Sequence, residues 1–192
     1  MNQQDDGQHF SVLYLDGLNP AAHGILDAAF RQIVEEGLLG SLFYDGTVKD
    51  SDHFLEVLLR PGTLPFVVMC GEQIAALTWL NCIEGRAARV HFVIFRKFWG
   101  RNTHRRIGWH LYRYILSRKD EAGYLFDCLY GVTPETNPLA WRAAIKCGWK
   151  LAGTIPARCF IAASAESVGG VVTSATREIL GIAEGEEVPA RW

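Results

Sequence analysis

The residue types best suited to chemistry lie together at Trp99-Gly100-Arg101-Asn102-Thr103-His104, inside the longer stretch Val90 to Leu116. An apolar, β-branched and aromatic run leads into this segment, and a long helical pattern leaves it. A strand that becomes a helix through glycine and a cationic residue points free backbone N–H groups outward. Those orphan donors, with the partial positive charge of a helix start, are a recipe for holding an anion. Two registers compete for the loop, one centred on Gly100 to His104 and one on Arg105, Gly108 and His110. Only the first gives the following helix a continuous core face, with Ile107, Leu111, Tyr114 and Ile115 at helical spacing.

His91 is the neighbouring titratable group, on the strand that feeds this loop, and imidazole titrates near neutral pH. Strand alternation could equally bury it as a hydrogen-bonded structural histidine. Asp127, Glu84 and Glu135 are weaker candidates for proton transfer. Cys128 and Cys147 read as small buried residues rather than nucleophiles. The six histidines do not recur at metal-ligand spacing with acids in attendance, so no metal site is expected.

The elements that must position these groups follow from pattern and punctuation. Phe10 to Leu15 reads as a first strand. Asn19-Pro20 starts a helix that runs to about Gly37, with Ile25, Ala29, Ile33 and Val34 on one face. Ser51 caps a second helix over Asp52 to Leu59, which Pro61-Gly62 ends. Phe66 to Cys70 and Ile74 to Asn81 form a hairpin, and Ala88 to Phe95 is the next strand. After the long helix, Tyr124 to Val132 is a buried strand and Pro138 to Lys146 a helix closed by Gly148. Trp149 to Ile155 and Val171 to Ile179 complete the set, with Gly169-Gly170 turning the chain between them. Residues 1–9 read as a flexible tail, 10–180 as a single domain, and 181–192 as an acidic, structureless C-terminal tail.

Composition bounds the function. With 19 Lys+Arg against 21 Asp+Glu over 192 residues, bulk charge argues against a nucleic-acid partner. No apolar run is long enough to span a membrane. The polar, acidic N-terminus does not read as a secretory signal, and five scattered cysteines read as reduced thiols. A cytoplasmic location is expected.

The order of elements and two motifs resemble the GNAT acyltransferase superfamily over roughly residues 10 to 180. The more specific motif is Asn137 to Pro156, NPLAWRAAIKCGWKLAGTIP, in which Asn137, Ala140 and Gly148 match the family spacing and Trp149 takes the usual Phe place. The second is the Gly100 to His104 loop, similar to the family's pyrophosphate loop, with Ile94 on the family's strand Val. The competing register puts Arg113 where the family has a buried Leu. The later family glycines are Asn102 and His104 here. Asparagine tolerates left-handed geometry, whereas His104 is bulkier. The sequence also resembles the GNAT-like proteins encoded in bacteriophage and prophage regions.

The resemblance implies an α/β (α+β) fold with a mostly antiparallel central sheet flanked by helices, and a splayed strand pair forming the cofactor cleft. It implies acetyl-CoA or another acyl-CoA as co-substrate. The pantetheine arm would pair with backbone near Phe92 and Ile94. The diphosphate would sit on Gly100, Arg101, Asn102, Thr103 and His104, with charge from Arg96, Lys97, Arg101 or Arg105. Asn137 would contact the acyl or pantetheine portion, and His91 or water would deprotonate an amine acceptor. The tyrosine that the family often carries seven residues after the motif Asn is Ala144 here. The reading is an acyl-CoA-dependent N-acyltransferase acting on a primary amine. The alternative is a GNAT-fold module without catalysis that binds or scaffolds. Exposed-looking Trp and Phe make a homodimer a reasonable expectation.

Overall fold

A computed structural model describes residues 9–100 and 102–192. Seven strands form one sheet in the order β1-β2-β3-β4-β7-β9-β8. The strands are β1 (Phe10–Tyr14), β2 (Leu64–Cys70), β3 (Gln73–Glu84), β4 (Ala87–Ile94), β7 (Cys128–Pro134), β8 (Lys150–Ile161) and β9 (Glu166–Thr176). A separate two-stranded ladder joins β5 (Lys119–Asp120) and β6 (Gly123–Tyr124). All neighbours in the main sheet run antiparallel except β4 and β7, which are parallel. The expected mixed, mostly antiparallel sheet with flanking helices is what forms.

The helices are α1 (Pro20–Glu35), α2 (Leu39–Leu42), α3 (Ser51–Leu59), α4 (Thr103–Ser117) and α5 (Pro138–Lys146). Ala22, Leu26, Ala29, Phe30 and Ile33 bury one face of α1, whereas Val34 is exposed. The aromatic series Phe30–Phe54–Phe43–Trp79 ties α1 and α3 to the sheet on one side. On the other side α4 buries Ile107, Leu111 and Ile115, the core face expected from the Gly100 register. The α4 and α5 backbones approach closely because Gly108 has no side chain: a Cβ there would lie 2.4 Å from Cys147 Sγ. Among the described residues no helix is long and apolar enough to cross a membrane.

Several boundaries differ from expectation. Asp50, not Ser51, caps α3, accepting from the His53 amide at 2.9 Å. The short α2 has no sequence signal strong enough to mark it. The strand expected over Tyr124 to Val132 begins at Cys128, because residues 123–124 pair with β5 instead. Gly169-Gly170 is not a turn; both residues lie inside β9. They are glycines for space, since a Cβ at Gly170 would meet Arg158 Cβ and Val132 Cγ1 at 2.9 Å. The actual reversal between β8 and β9 spans residues 162–165.

The C-terminal segment is not structureless. Phe10 N donates to Trp192 O at 2.8 Å and Trp192 N to Phe10 O at 3.0 Å, with Val12 N on Ala190 O at 2.7 Å. Trp192 stacks on Phe10 and His110, and Arg113 pairs with Glu186. An acidic composition hid the apolar anchors Val188 and Trp192.

Candidate active site

The parallel pair β4/β7 is joined over only three residue pairs, Ala87↔Cys128, Ala88↔Leu129 and Arg89↔Tyr130. Beyond Arg89 and Tyr130 the two strands separate. β4 nevertheless keeps its pairing with β3 up to Ala76↔Ile94. Phe95 N bonds Ala75 O at 3.0 Å, and antiparallel bonding alternates along the strand. The amides and carbonyls of Phe92 and Ile94 therefore point away from β3, into the gap. Buried backbone groups need partners, so this is a strand edge built to be approached.

A small open cavity of about 60 Å³ lies in the gap. Val90, His91 and Phe92 line one wall, and Gly131 to Pro134 the other. Asn137, Ala140, Ala144 and Trp149 close it from α5 and the start of β8, while Ser41, Leu42 and Tyr44 close it from α2 and the loop after it. His91 and Phe92 face opposite sides of the sheet, so the cavity passes through it.

The loop leading to α4 follows the same strand. Gly100 is exposed, and a Cβ there would meet nothing within 4 Å. Asn102 stands at φ 64°, in the left-handed region, and makes no side-chain cap. By contrast Asn19, Asp50 and Asn137 cap α1, α3 and α5 with their side chains. Thr103 N bonds Gly100 O at 2.9 Å and Arg106 N bonds Asn102 O at 3.0 Å. Helix geometry leaves the amides of His104 and Arg105 between them without partners in the helix. His104 Nδ1 is buried and unpartnered. Arg101 lies outside the described residues. Thr103 is half-buried at the first position of α4.

Other expected contributors are already engaged. Arg96 donates from its backbone to Glu36 Oε2 at 2.8 Å and from Nε to the Glu36 carbonyl at 3.0 Å. Its guanidinium also lies over Trp99. Lys97 bonds Gln73 at 2.6 Å. The Trp99 indole N–H donates to the Ile94 carbonyl, occupying one of the acceptors on the open edge. Asn137 accepts from Ala140 N at 3.3 Å as the α5 cap, and lines the cavity at the same time.

His91 stacks flat on Trp79, with centroids 4.9 Å apart and planes 1° apart. Its Nε2 lies 3.1 Å from Asn81 Oδ1. Burial, then the charges of Arg89 and Arg60 against the opposing Asp45, lower its pKa to about 3. It is neutral at physiological pH and a weak base.

Sequence reasoning missed Tyr44. Its ring lines the cavity across from α5, its carbonyl accepts from Ala162 N at 2.8 Å, and its hydroxyl donates to Cys159 Sγ at 3.4 Å. Burial and Cys159 push its pKa up to about 12, with Arg89 opposing. A tyrosine in a loop between helices carries no local motif, so only the tertiary packing of the β8–β9 turn reveals it. Asp127 pairs with Arg177, and Glu135 accepts from Gly169 N at 2.8 Å; neither lines the cavity. Among the described residues no three metal-ligating side chains come together.

The arrangement of strands matches solved structures closely. The microcin C7 self-immunity acetyltransferase MccE, in complex with acetyl-CoA and AMP, superposes with a TM-score of 0.65 at 15% identity, covering 88% of this chain and 92% of that one. The chain has the GNAT acetyltransferase fold. Spermidine N-acetyltransferase from Vibrio cholerae, with CoA and spermine, gives 0.66 at 16% identity, over 89% and 97% of the two chains. A Salmonella typhimurium acetyltransferase that modifies the N-terminal serine of ribosomal protein L7/L12 gives 0.68 at 12%, over 87% and 94%. By sequence, no family model and no curated protein matches.

Proposed function

We propose that the protein is an acyl-CoA-dependent N-acyltransferase that moves an acetyl group to a primary amine. The observation that carries this is the separation of β4 from β7 beyond Arg89 and Tyr130, with an open strand edge leading to an uncapped helix start. The GNAT-fold structures with acetyl-CoA or CoA bound support it.

The residues present fit the co-substrate. Phe92 and Ile94 offer backbone donors and acceptors to an extended amide-bearing arm. The amides of His104 and Arg105, with Gly100, Asn102 and Thr103 around them, offer donors to a diphosphate. Arg105 is exposed on the first turn of α4 and supplies charge there, with Arg101 four residues before it in sequence. Arg96 acts indirectly, fixing the loop against the end of α1. Asn137 holds the start of α5 against the reacting end.

In the transfer, the amine nitrogen attacks the thioester carbonyl carbon and the carbon–sulfur bond breaks. The electron pair leaves on sulfur, which takes up one proton, and the amine loses one. An amine near pKa 10 and a histidine near 3 are badly matched for proton transfer. His91 is therefore a positioning group, fixed by Trp79 and Asn81, and water carries the proton. A homodimer is compatible with the exposed Leu151, Ile155 and Phe160 on β8.

The second reading, a GNAT-fold binding module without catalysis, is favoured by Ala144 in the cavity wall and by the Ile94 carbonyl already taken by Trp99. Release of free CoA thiol from acetyl-CoA, measured across a panel of primary amines, separates the two. Amine-dependent release supports the enzyme; acetyl-CoA binding without release for any amine supports the module.

A further inference from the structure

The last β4–β7 pair lies directly next to the cavity-lining residues Val90, His91 and Gly131, and among the described residues its surroundings hold hydrogen-bond donors but no carboxylate bound to them. Arg89 pairs with Tyr130 there and shares a strand face with His91 two residues on. Arg89 Nε is buried with no hydrogen-bond partner. Among the described residues no carboxylate lies within 4.0 Å of its guanidinium. Tyr44 stands beside it, and the acceptor its hydroxyl has found is a thiol, a weak one.

The nearby acids do not fill the gap. Asp45 accepts from Thr47 N at 3.2 Å and from Thr47 Oγ1 at 2.8 Å. Glu84 is exposed at the end of β3, and Glu135 is bound to Gly169 N. Arg60 and Arg158 add positive charge from α3 and β8. Tyr44 itself is held from two sides. The β8–β9 turn bonds its carbonyl, and a Cβ at Gly46, which stands at φ 73°, would lie 3.1 Å from Ala162 Cβ. A rigid phenol next to a guanidinium that lacks a carboxylate is a matched pair of donors for a planar oxyanion.

We infer that the acceptor amine carries a carboxylate, held where Tyr44 lines the cleft by its hydroxyl and by the Arg89 guanidinium next to it. This rests on the acyl-transfer reading for the amine, but the carboxylate subsite has its own test. The amine then projects past His91 toward the open edge of β4. An amine without an anion leaves Arg89 with the Tyr44 hydroxyl as its polar neighbour and its buried Nε without a partner.

The experiment compares L-amino acids with their own amides, which differ in the charge at one end only. Two quantities are measured: kcat/KM for CoA release from acetyl-CoA, and the melting shift each compound produces with CoA present or absent. The expected result is a carboxylate preference of about 10–100-fold, the range for a charge-assisted hydrogen-bond pair. That ratio should fall toward one in Arg89→Gln, recover in part in Arg89→Lys, and fall less in Tyr44→Phe. Equal rates or equal shifts for acid and amide in the unaltered protein overturn the subsite, as does a ratio unchanged in Arg89→Gln. Transfer to amides with no carboxylate preference overturns the subsite and leaves acyl transfer standing. A carboxylate-specific melting shift without acetyl-CoA binding does the reverse. No shift with either member of any pair overturns the subsite.

Discussion

Gly108→Ala distinguishes the two ways in which the sequence could hold a diphosphate. Glycine at this position lets α4 approach the end of α5. An alanine Cβ would lie 2.4 Å from Cys147 Sγ and 3.1 Å from its Cβ, the first more than 1 Å inside the roughly 3.5–4.0 Å of ordinary contact. Cys147 is 3% exposed and anchored by its amide to Ala143 and Ala144, so it has little room to yield. Overpacking of this kind costs about 1–3 kcal/mol. Alanine offsets about 1 kcal/mol of that through helix propensity. The net loss is then about 0–2 kcal/mol, with each kcal/mol lowering Tm by about 2–4 °C in a chain of this size. Cys147→Ala removes the sulfur and with it the worst overlap. The double variant should therefore recover, with a coupling of about 1–2 kcal/mol between neighbouring sites. Differential scanning calorimetry of the four proteins, with and without acetyl-CoA, reads both quantities. The double variant should keep the acetyl-CoA shift of the unaltered protein, because Gly108 packs helix on helix. Strict additivity would refute the packing argument. Loss of the acetyl-CoA shift in a double variant of restored stability would show that Gly108 faces the phosphates after all.

Other consequences are as direct. His91 has a folded pKa below its unfolded value, so it contributes stability above about pH 6.5, which is lost as pH falls toward 3. In His91→Phe the acid limb of Tm against pH should be shallower, at a cost at neutral pH of about 1–3 kcal/mol for leaving Asn81 without its partner. With water rather than His91 proposed to collect the amine proton, kcat/KM for transfer should rise with pH toward the acceptor's own pKa, with no inflection near 6.5; an inflection there that His91→Gln abolishes would restore it as the base. Trp99→Phe frees the Ile94 carbonyl, and acetyl-CoA affinity should rise by about 2–10-fold in calorimetric titration if the arm pairs with that edge. Trp192→Ala removes the stack on Phe10 and His110, and urea melts should show a loss of about 2–4 kcal/mol, near the values for large aromatic truncations.

The parts of the fold that were legible in the sequence are those set by local chemistry. Asn137-Pro138 marked the start of α5, and the spacing of Ile107, Leu111 and Ile115 fixed which face of α4 is buried. Signals that depend on tertiary distance were misread. Gly169-Gly170 looked like a turn because two glycines permit one, yet their reason is the approach of Arg158, Val132 and Glu135. The C-terminal acids suggested a loose tail, while Trp192 and backbone pairing with β1 hold it down. In the candidate site, the loop and strand edge can be read from sequence because a strand, a glycine and a helix start are consecutive. Tyr44 and Arg89 cannot, since they lie 45 residues apart and meet only when the β8–β9 turn packs on the loop after α2. The position of His91 on β4 can be read from sequence, but its burial against Trp79 is invisible in one strand's sequence.

Whether the open edge of β4 and the start of α4 bind an acyl-CoA is decided by the melting temperature in the presence of acetyl-CoA. Ligand at about 100 times its Kd should stabilise the fold by about 2.7 kcal/mol, which raises Tm by about 5–10 °C at this chain length. Gly100→Trp, which fills the space above the loop without touching the core, should abolish the rise. No shift at millimolar acetyl-CoA, or an undiminished shift in Gly100→Trp, would contradict binding at this edge.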